Sequence, residues 1–335
     1  MTLTGVTPDT IPFDTLLNAN QPVLMPGLVR NWPLVQEASQ TPIGLMNELL
    51  EHHPRHPLLC YRGAPDIKAR FGYNETATGF NFDSQRTSLS EVFDHISEQL
   101  EDAEHDFLYI NSLKLAESFP ALARSHHLNF SHPVFEQNQP MAKIWLGTES
   151  VAAAHFDQPD NIACCVAGRR RFTLFAPEHI HHLYPGPLHP TPGGQVVTMA
   201  NLQKPDFDRF PKLAKALKAA VVVDMEPGDG LYYPSMWWHE VEAQDRFNIM
   251  INFWWMTANA MQGNPMDVLL HGMLSLRQRP AQEKQAWREL FDYYVFGDAS
   301  EARAHLPEAS QGPLGEMDGP NARRLRAMLL QSLNR

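Results

Sequence analysis

Between residues 107 and 255 the chain is cut into short apolar runs, each closed by a turn signal. They read FLYINSL, MAKIWLG, NIACCVAG, RRFTLFAP, AAVVVDMEP, GLYYP and FNIMINFWWM. A helix needs about ten or more residues to lay a useful apolar face on a core, whereas a strand needs only four to eight. Runs of this length, rich in β-branched and aromatic residues and bounded by Gly and Pro, build sheets folded into a sandwich or barrel. The expected fold class is therefore mainly β.

The flanks differ. Residues 1–105 mix short helical and extended pieces: PVLMPGLVRNWPLV reads as a strand broken at Pro26-Gly27, and SLSEVFDHISEQLED places Leu89, Val92, Phe93, Ile96 and Leu100 at helical spacing. After residue 260 the period becomes helical. Asn264-Pro265 opens a helix with Met266, Leu269, Leu270, Met273 and Leu274 on one face, and Pro280 ends it. A second helix carries Trp287, Leu290, Phe291 and Tyr294, and a last one aligns Leu325, Met328, Leu329 and Leu333. The expected organisation is an N-terminal flank (1–105), a β core (106–258) and a C-terminal helical region (259–335).

Composition narrows the function classes. Hydrophobic residues at 43% and charged residues at 19% belong to a globular chain. A net charge of −11 with no Lys/Arg stripe argues against a nucleic-acid surface. Three cysteines, two of them adjacent in IACCV, make no disulfide framework and fit small core residues in a reducing compartment. MTLTGVTPDTIPF lacks the basic and apolar regions of a signal peptide, and no apolar run approaches the ~18 residues of a membrane span. The expectation is a soluble, cytoplasmic protein with no membrane partner.

Chemistry enters at VAAAHFDQPDN. His155 and Asp157 are two residues apart on what reads as extended backbone, so both point to one face. Either Asp157 merely orients His155, or the pair binds something. A second segment, EPGDGLYYPSMWWHEVEA, makes a turn at Pro227-Gly228-Asp229, a strand over Leu231–Pro234, and another over Trp238–Val241 that carries His239. Two histidines and one carboxylate are the facial triad of non-haem Fe(II) sites. Three ligands on one face leave three positions for a bidentate co-substrate and O₂, whereas a structural zinc site closes all four.

The pattern GxxxxxxxHFD, a following Gly, and GDxxYxPxxWWHxVE resembles the cupin-type jelly roll of the Jumonji-C oxygenases, among them factor inhibiting hypoxia-inducible factor and bacterial cupin-like proteins. The resemblance runs from about Pro22 to Trp255 and includes KPDFDRFPKL and the terminal NFWW. It implies a double-stranded β-helix (jelly roll), with N-terminal α/β elements and C-terminal helices around it. It also implies Fe(II) held by His155, Asp157 and His239, and 2-oxoglutarate as co-substrate. The basic residue that pairs the distal carboxylate of 2-oxoglutarate falls on Arg170, where family members carry lysine; a guanidinium binds a carboxylate through two parallel hydrogen bonds, so the exchange is chemically competent. Of the run Arg169-Arg170-Arg171, the other two are expected in solvent. Tyr109 matches a tyrosine supporting that carboxylate, Ala152 replaces a threonine of the pocket, and Asn161 and Asn252 match asparagines near the metal.

His179, His181, His182 and His189 lie in a Pro/Gly loop that the family shares without metal, and Trp237, Trp238, Trp254 and Trp255 read as packing, with one or two at the cavity mouth. The reaction implied is hydroxylation of an unactivated C–H bond, on a protein or peptide side chain, or on a small molecule or free amino acid. Lysine demethylation is disfavoured, since the chain shows no reader-type domain. A non-catalytic jelly roll and a cupin isomerase or lyase are the rivals; the triad argues against the first, and Arg170, Tyr109 and the asparagines against the second. The resemblance further implies a homodimer through residues 261–335.

Overall fold

The computed structural model describes residues 1–37, 41–136, 138–257 and 263–334. They form two compact units, Met1–Thr257 and Ala258–Arg335. Residues 1–105 thus belong to the same unit as the sheets.

The first unit holds β1 (Val23–Met25), β2 (Leu58–Gly63), β3 (Arg70–Phe71), β4 (Asp83–Thr87), β5 (Phe107–Lys114), β6 (Met141–Gly147) and β7 (Ser150–Phe156). These are followed by β8 (Asp160–Ala167), β9 (Arg170–Phe175), β10 (Val221–Met225), β11 (Gly230–Tyr233), β12 (Trp238–Ala243) and β13 (Asn248–Trp255). An eight-stranded sheet runs β1-β11-β8-β13-β6-β5-β2-β4, and a five-stranded sheet runs β10-β9-β12-β7-β3. From β6 to β9, and again from β11 to β13, successive strands alternate between the sheets. That weave is a jelly roll of two facing open sheets rather than a closed barrel. Pairing is antiparallel except between β3 and β7.

Period-two alternation decides what each face meets. In β13, Ile249, Ile251 and Phe253 enter the large core, while Met250, Asn252 and Trp254 face the space between the sheets. In β6, Ile144 and Leu146 go to the core, leaving Lys143 and Trp145 on the inner face. β8 is buried throughout: Ile162, Cys164 and Val166 join the large core, and Ala163 and Cys165 fill a smaller inter-sheet cluster. NIACCVAG reads as a continuous apolar run because both of its faces are covered.

The large core lies between the eight-stranded sheet and helices from the first 130 residues: α1 (Phe13–Ala19), α2 (Pro33–Glu37), α3 (Pro42–His52), α4 (Leu89–Glu98), α5 (Leu115–Ser118) and α6 (Pro120–Ser125). Each fully buried Leu, Ile or Phe there contributes roughly 1.5–3 kcal/mol. α4 follows the spacing read in the sequence. Leu89, Val92, Phe93 and Ile96 are buried, and a capping box starts it: Ser88 Oγ accepts from the Glu91 N–H, while Glu91 accepts from the Ser88 N–H. WPLV is helical rather than extended, because Pro33 sits in the first turn of α2, where its missing N–H costs nothing. α7 (Leu213–Ala219) closes a third cluster with Ala154, Phe175 and Trp238 on the outer face of the smaller sheet.

The second unit contains α8 (Pro265–Leu276), capped by Asn264, then α9 (Ala281–Phe291) and α10 (Gly319–Leu333), capped by Asp318. Among its described residues only Ala302 and Ala322 are buried, while Leu269, Leu270, Leu274, Trp287, Met328 and Leu329 are exposed. Among the described residues no helix is long and apolar enough to cross a membrane.

Candidate metal centre

β7 and β12 are antiparallel neighbours, and their register sets His155 directly opposite His239. The imidazole centroids are 4.4 Å apart. Asp157 follows the end of β7 and places Oδ2 3.5 Å from His239 Nε2. One ligand atom from each of the three residues lies within 4.8 Å of the others. Among the described residues this is the one group of three or more His, Cys, Asp or Glu side chains so arranged.

Each imidazole is oriented the same way. His155 Nδ1 is 2.9 Å from the Ala153 carbonyl and His239 Nδ1 is 3.0 Å from the Trp237 carbonyl. A carbonyl can only accept, so both Nδ1 atoms carry the proton and both Nε2 lone pairs are presented to the centre. Burial and the neighbouring His239 hold the His155 pKa down at about 4. Burial alone would raise Asp157, but its contact with His239, the neighbouring His155 and Lys143 bring its carboxyl below the usual range. A neutral His155 and an ionised Asp157 are protonation states a divalent cation requires of such ligands.

These residues open on a cavity of about 210 Å³ between the two sheets. At its inner wall Arg170, the first residue of β9, is only 4% exposed, and its Nε has no partner. Its neighbours in sequence are satisfied at the surface: Arg169 pairs with Asp245 and Arg171 with Asp224. No described carboxylate pairs with Arg170; Cys165 and Tyr109 are the ionisable groups nearest to it in effect. An unpaired buried guanidinium is expensive, so a dry cation facing a cavity calls for an anion. Tyr109, on the inner face of β5, lines the same cavity with its ring stacked on Trp145 at 6.2 Å.

Residues 8–261 match the family described as a cupin-like domain. The chain belongs to that family. It is 27% identical over 136 residues to a lysine-specific demethylase of Arabidopsis thaliana, JMJ31 (40% of this chain, 24% of the relative). It is 35% identical over 120 residues to human HSPB1-associated protein 1 (35% of this chain, 24% of the relative). It is 28% identical over 148 residues to tRNA wybutosine-synthesizing protein 5 of Danio rerio (42% of this chain, 40% of the relative). The match spans well under half the length of each of these relatives. Jumonji-C-type members of the family typically use Fe(II) and 2-oxoglutarate, and this cupin-like domain carries a His-Asp-His cluster able to bind a metal.

The remaining residues singled out in the sequence take distinct places in the cupin-like domain. Asn252 lines the cavity, and its Oδ1 accepts from Trp145 Nε1 at 2.8 Å. Asn161 is fully buried and donates to the hydroxyl of Tyr233, which itself lines the cavity; the Asn161 Oδ1 has no partner. Ala152 lines the wall. Trp254 faces the cavity, while Trp238 and Trp255 are buried in packing clusters. Burial pushes the Cys165 thiol up to about 12 and raises Cys164 as well, so neither is a nucleophile. His179 and His182 approach within 3.3 Å but form no metal group with a third ligand among the described residues.

Lys143 is a charged cavity residue that sequence reasoning missed. Its Nζ donates to Ser112 Oγ at 2.8 Å and lies 3.8 Å from the centroid of the Trp254 ring. The available signal was parity: in MAKIWLG, Lys143 shares a face with Trp145 and so belongs on the inner side of β6.

Proposed function

We propose that the protein is an Fe(II)- and 2-oxoglutarate-dependent dioxygenase that hydroxylates an unactivated C–H bond. The observation that carries this reading is the pairing, in one cavity, of the His155–Asp157–His239 cluster with the buried and unpaired Arg170. His155, Asp157 and His239 would hold the iron on one face. Arg170 would receive the distal carboxylate of 2-oxoglutarate, with Tyr109 beside it. Bound together, Fe(II) and 2-oxoglutarate supply oxygen activation coupled to release of succinate and CO₂.

The chain's own part is binding, orientation and exclusion of water. The Ala153 and Trp237 carbonyls fix the two imidazoles, and Asp157 supplies the negative charge that suits a hard-to-borderline metal. The Trp145 side chain anchors the Asn252 amide at the cavity wall, and Asn161, behind that wall, holds the Tyr233 hydroxyl. Phe71, Phe82 and Trp145 give the cavity an apolar wall that limits water. The substrate class we favour is a protein or peptide side chain, in keeping with a relative named as a lysine-specific demethylase; a small molecule or free amino acid is the alternative. We further propose a homodimer through the C-terminal unit, whose apolar side chains are exposed.

Succinate formation from 2-oxoglutarate tests the reading. It should require Fe(II) and O₂ and be lost in His239→Ala. Iron-independent turnover would refute it.

A further inference from the structure

The charges around the cavity do not match those of the chain. The protein carries 38 Asp and Glu and a net charge of −11. Yet among the described residues lining the cavity Asp157 is the one carboxylate, and it faces two cations, Arg170 and Lys143. A cleft lined by one sign of charge selects ligands of the other. On the reading proposed above, Asp157, the one anion acting on Lys143, is taken up by the iron, and the distal carboxylate of 2-oxoglutarate by Arg170. The charge of Lys143 is left over.

The local structure around Lys143 is built to hold that charge at the wall. Its ammonium has three donors. Ser112 Oγ takes one, and the Trp254 face covers another side of the group. Apart from Asp157, the charged group acting on it is Lys114, which has the same sign. Ser112 is placed by an irregularity: the β5–β6 register shifts between Ile110 and Leu113, and Ser112 takes a left-handed φ of 57°. A serine rarely adopts that conformation without a compensating contact. The same bulge leaves Asn111 at the cavity beside Gly193, whose added Cβ would lie 3.5 Å from the Asn111 amide nitrogen. Asn111, Ser112, Lys143 and Gln195 all line this cavity, and none of them is negatively charged.

We infer that Lys143 is the specificity-determining residue for the prime substrate, and that this substrate carries a carboxylate. Lys143 pairs with that group, and Asn111 and Gln195 offer further amide donors in the same cavity. The carboxylate belongs to an acidic side chain of a peptide or to a free small-molecule acid; the chemistry at Lys143 is the same for both. This rests on the proposed function, because it is the bound iron that occupies Asp157.

The test uses full-length protein loaded with Mn(II) and 2-oxoglutarate, which binds without turnover. Two probe sets are titrated by calorimetry. One is acetylated, amidated pentapeptides with Asp or Glu at the centre, against the same peptides with Asn or Gln. The other is N-acetyl amino acids against their C-terminal amides. In at least one set the acids should bind tenfold or more tightly than their amides, and the set that shows it identifies the source. Lys143→Gln should bring acid and amide to parity, and Lys143→Arg should keep the preference. Binding of 2-oxoglutarate to the Mn(II) form of Lys143→Gln, measured in the same instrument, separates this inference from the function it rests on: normal binding with lost acid preference supports both. Acids that bind no better than their amides, weakly or not at all, overturn the assignment, as does a preference that survives in Lys143→Gln.

Discussion

His155 and His239 face one another across paired strands with ring centroids 4.4 Å apart, and each gives its Nδ1 proton to the carbonyl two residues before it. The backbone of β7 and β12 thus aims two Nε2 lone pairs at one point beside Asp157. Replacing His155 or Asp157 by Ala removes a ligand that no other described cluster can replace. The expected result is loss of stoichiometric Fe(II) after desalting, read by a colorimetric iron assay, with folding checked by circular dichroism. Stoichiometric iron in either variant would remove the triad assignment.

Arg169, Arg170 and Arg171 should separate cleanly in their demand for 2-oxoglutarate. Arg169 and Arg171 spend their charges on Asp245 and Asp224 at the surface, and Arg170 faces the cavity. Charge-assisted hydrogen bonds are worth roughly 1.5–3 kcal/mol, so Arg170→Ala should raise the dissociation constant about tenfold or more. The other two alanine variants should stay within about twofold, since exposed ion pairs contribute little. Equal effects from all three would point to general surface charge.

His126 should make stability fall in mild acid. Its Nε2 accepts from the Leu34 N–H at 3.2 Å, which caps a free amide in the first turn of α2. Burial is the main cause that holds its pKa down at about 4. The unfolded chain binds this proton near pH 6.5 and the folded one does not, so stability present above about pH 6.5 is lost as pH falls towards 4. The loss amounts to at most about 3 kcal/mol. Melting curves of wild type and His126→Gln should therefore converge between pH 7 and 4.5 as the wild type loses more. Parallel curves would contradict the assignment.

The C-terminal unit leaves Leu269, Leu270, Leu274, Met328 and Leu329 exposed, an apolar surface that suits a second copy of the chain. Sedimentation equilibrium at micromolar concentration should give a dimer. Changing Leu325, Met328 and Leu329 to polar residues should give a monomer. A monomeric wild type would end the idea.

Much of this was legible in the sequence, for identifiable reasons. Short runs ended by Gly and Pro gave the strands, and the i, i+2 spacing put His155 and Asp157 on one face. The continuous run in β8 was recognisable as apolar but could not reveal which core each residue meets. Asn161 illustrates the limit. Parity turns it inward with Ala163 and Cys165, yet its amide is taken by Tyr233, a contact that depends on β11 lying next to β8. Lys143 was missed because a lysine in a short strand usually marks a solvent face, and only the five-stranded sheet facing β6 makes that face a cavity wall. α2 was misread because Val and Leu suit both states, and the packing around Trp32 and His126 decides between them.

Anaerobic titration with Fe(II) and then 2-oxoglutarate tests the central claim most directly. Bidentate binding of 2-oxoglutarate to iron held by His155, Asp157 and His239 should raise a weak visible metal-to-ligand charge-transfer band that saturates at one equivalent per chain. The band should be missing in Asp157→Ala and should need about tenfold or more 2-oxoglutarate in Arg170→Ala. A wild-type protein that binds both components without the band, or a band of equal strength in Asp157→Ala, would contradict it.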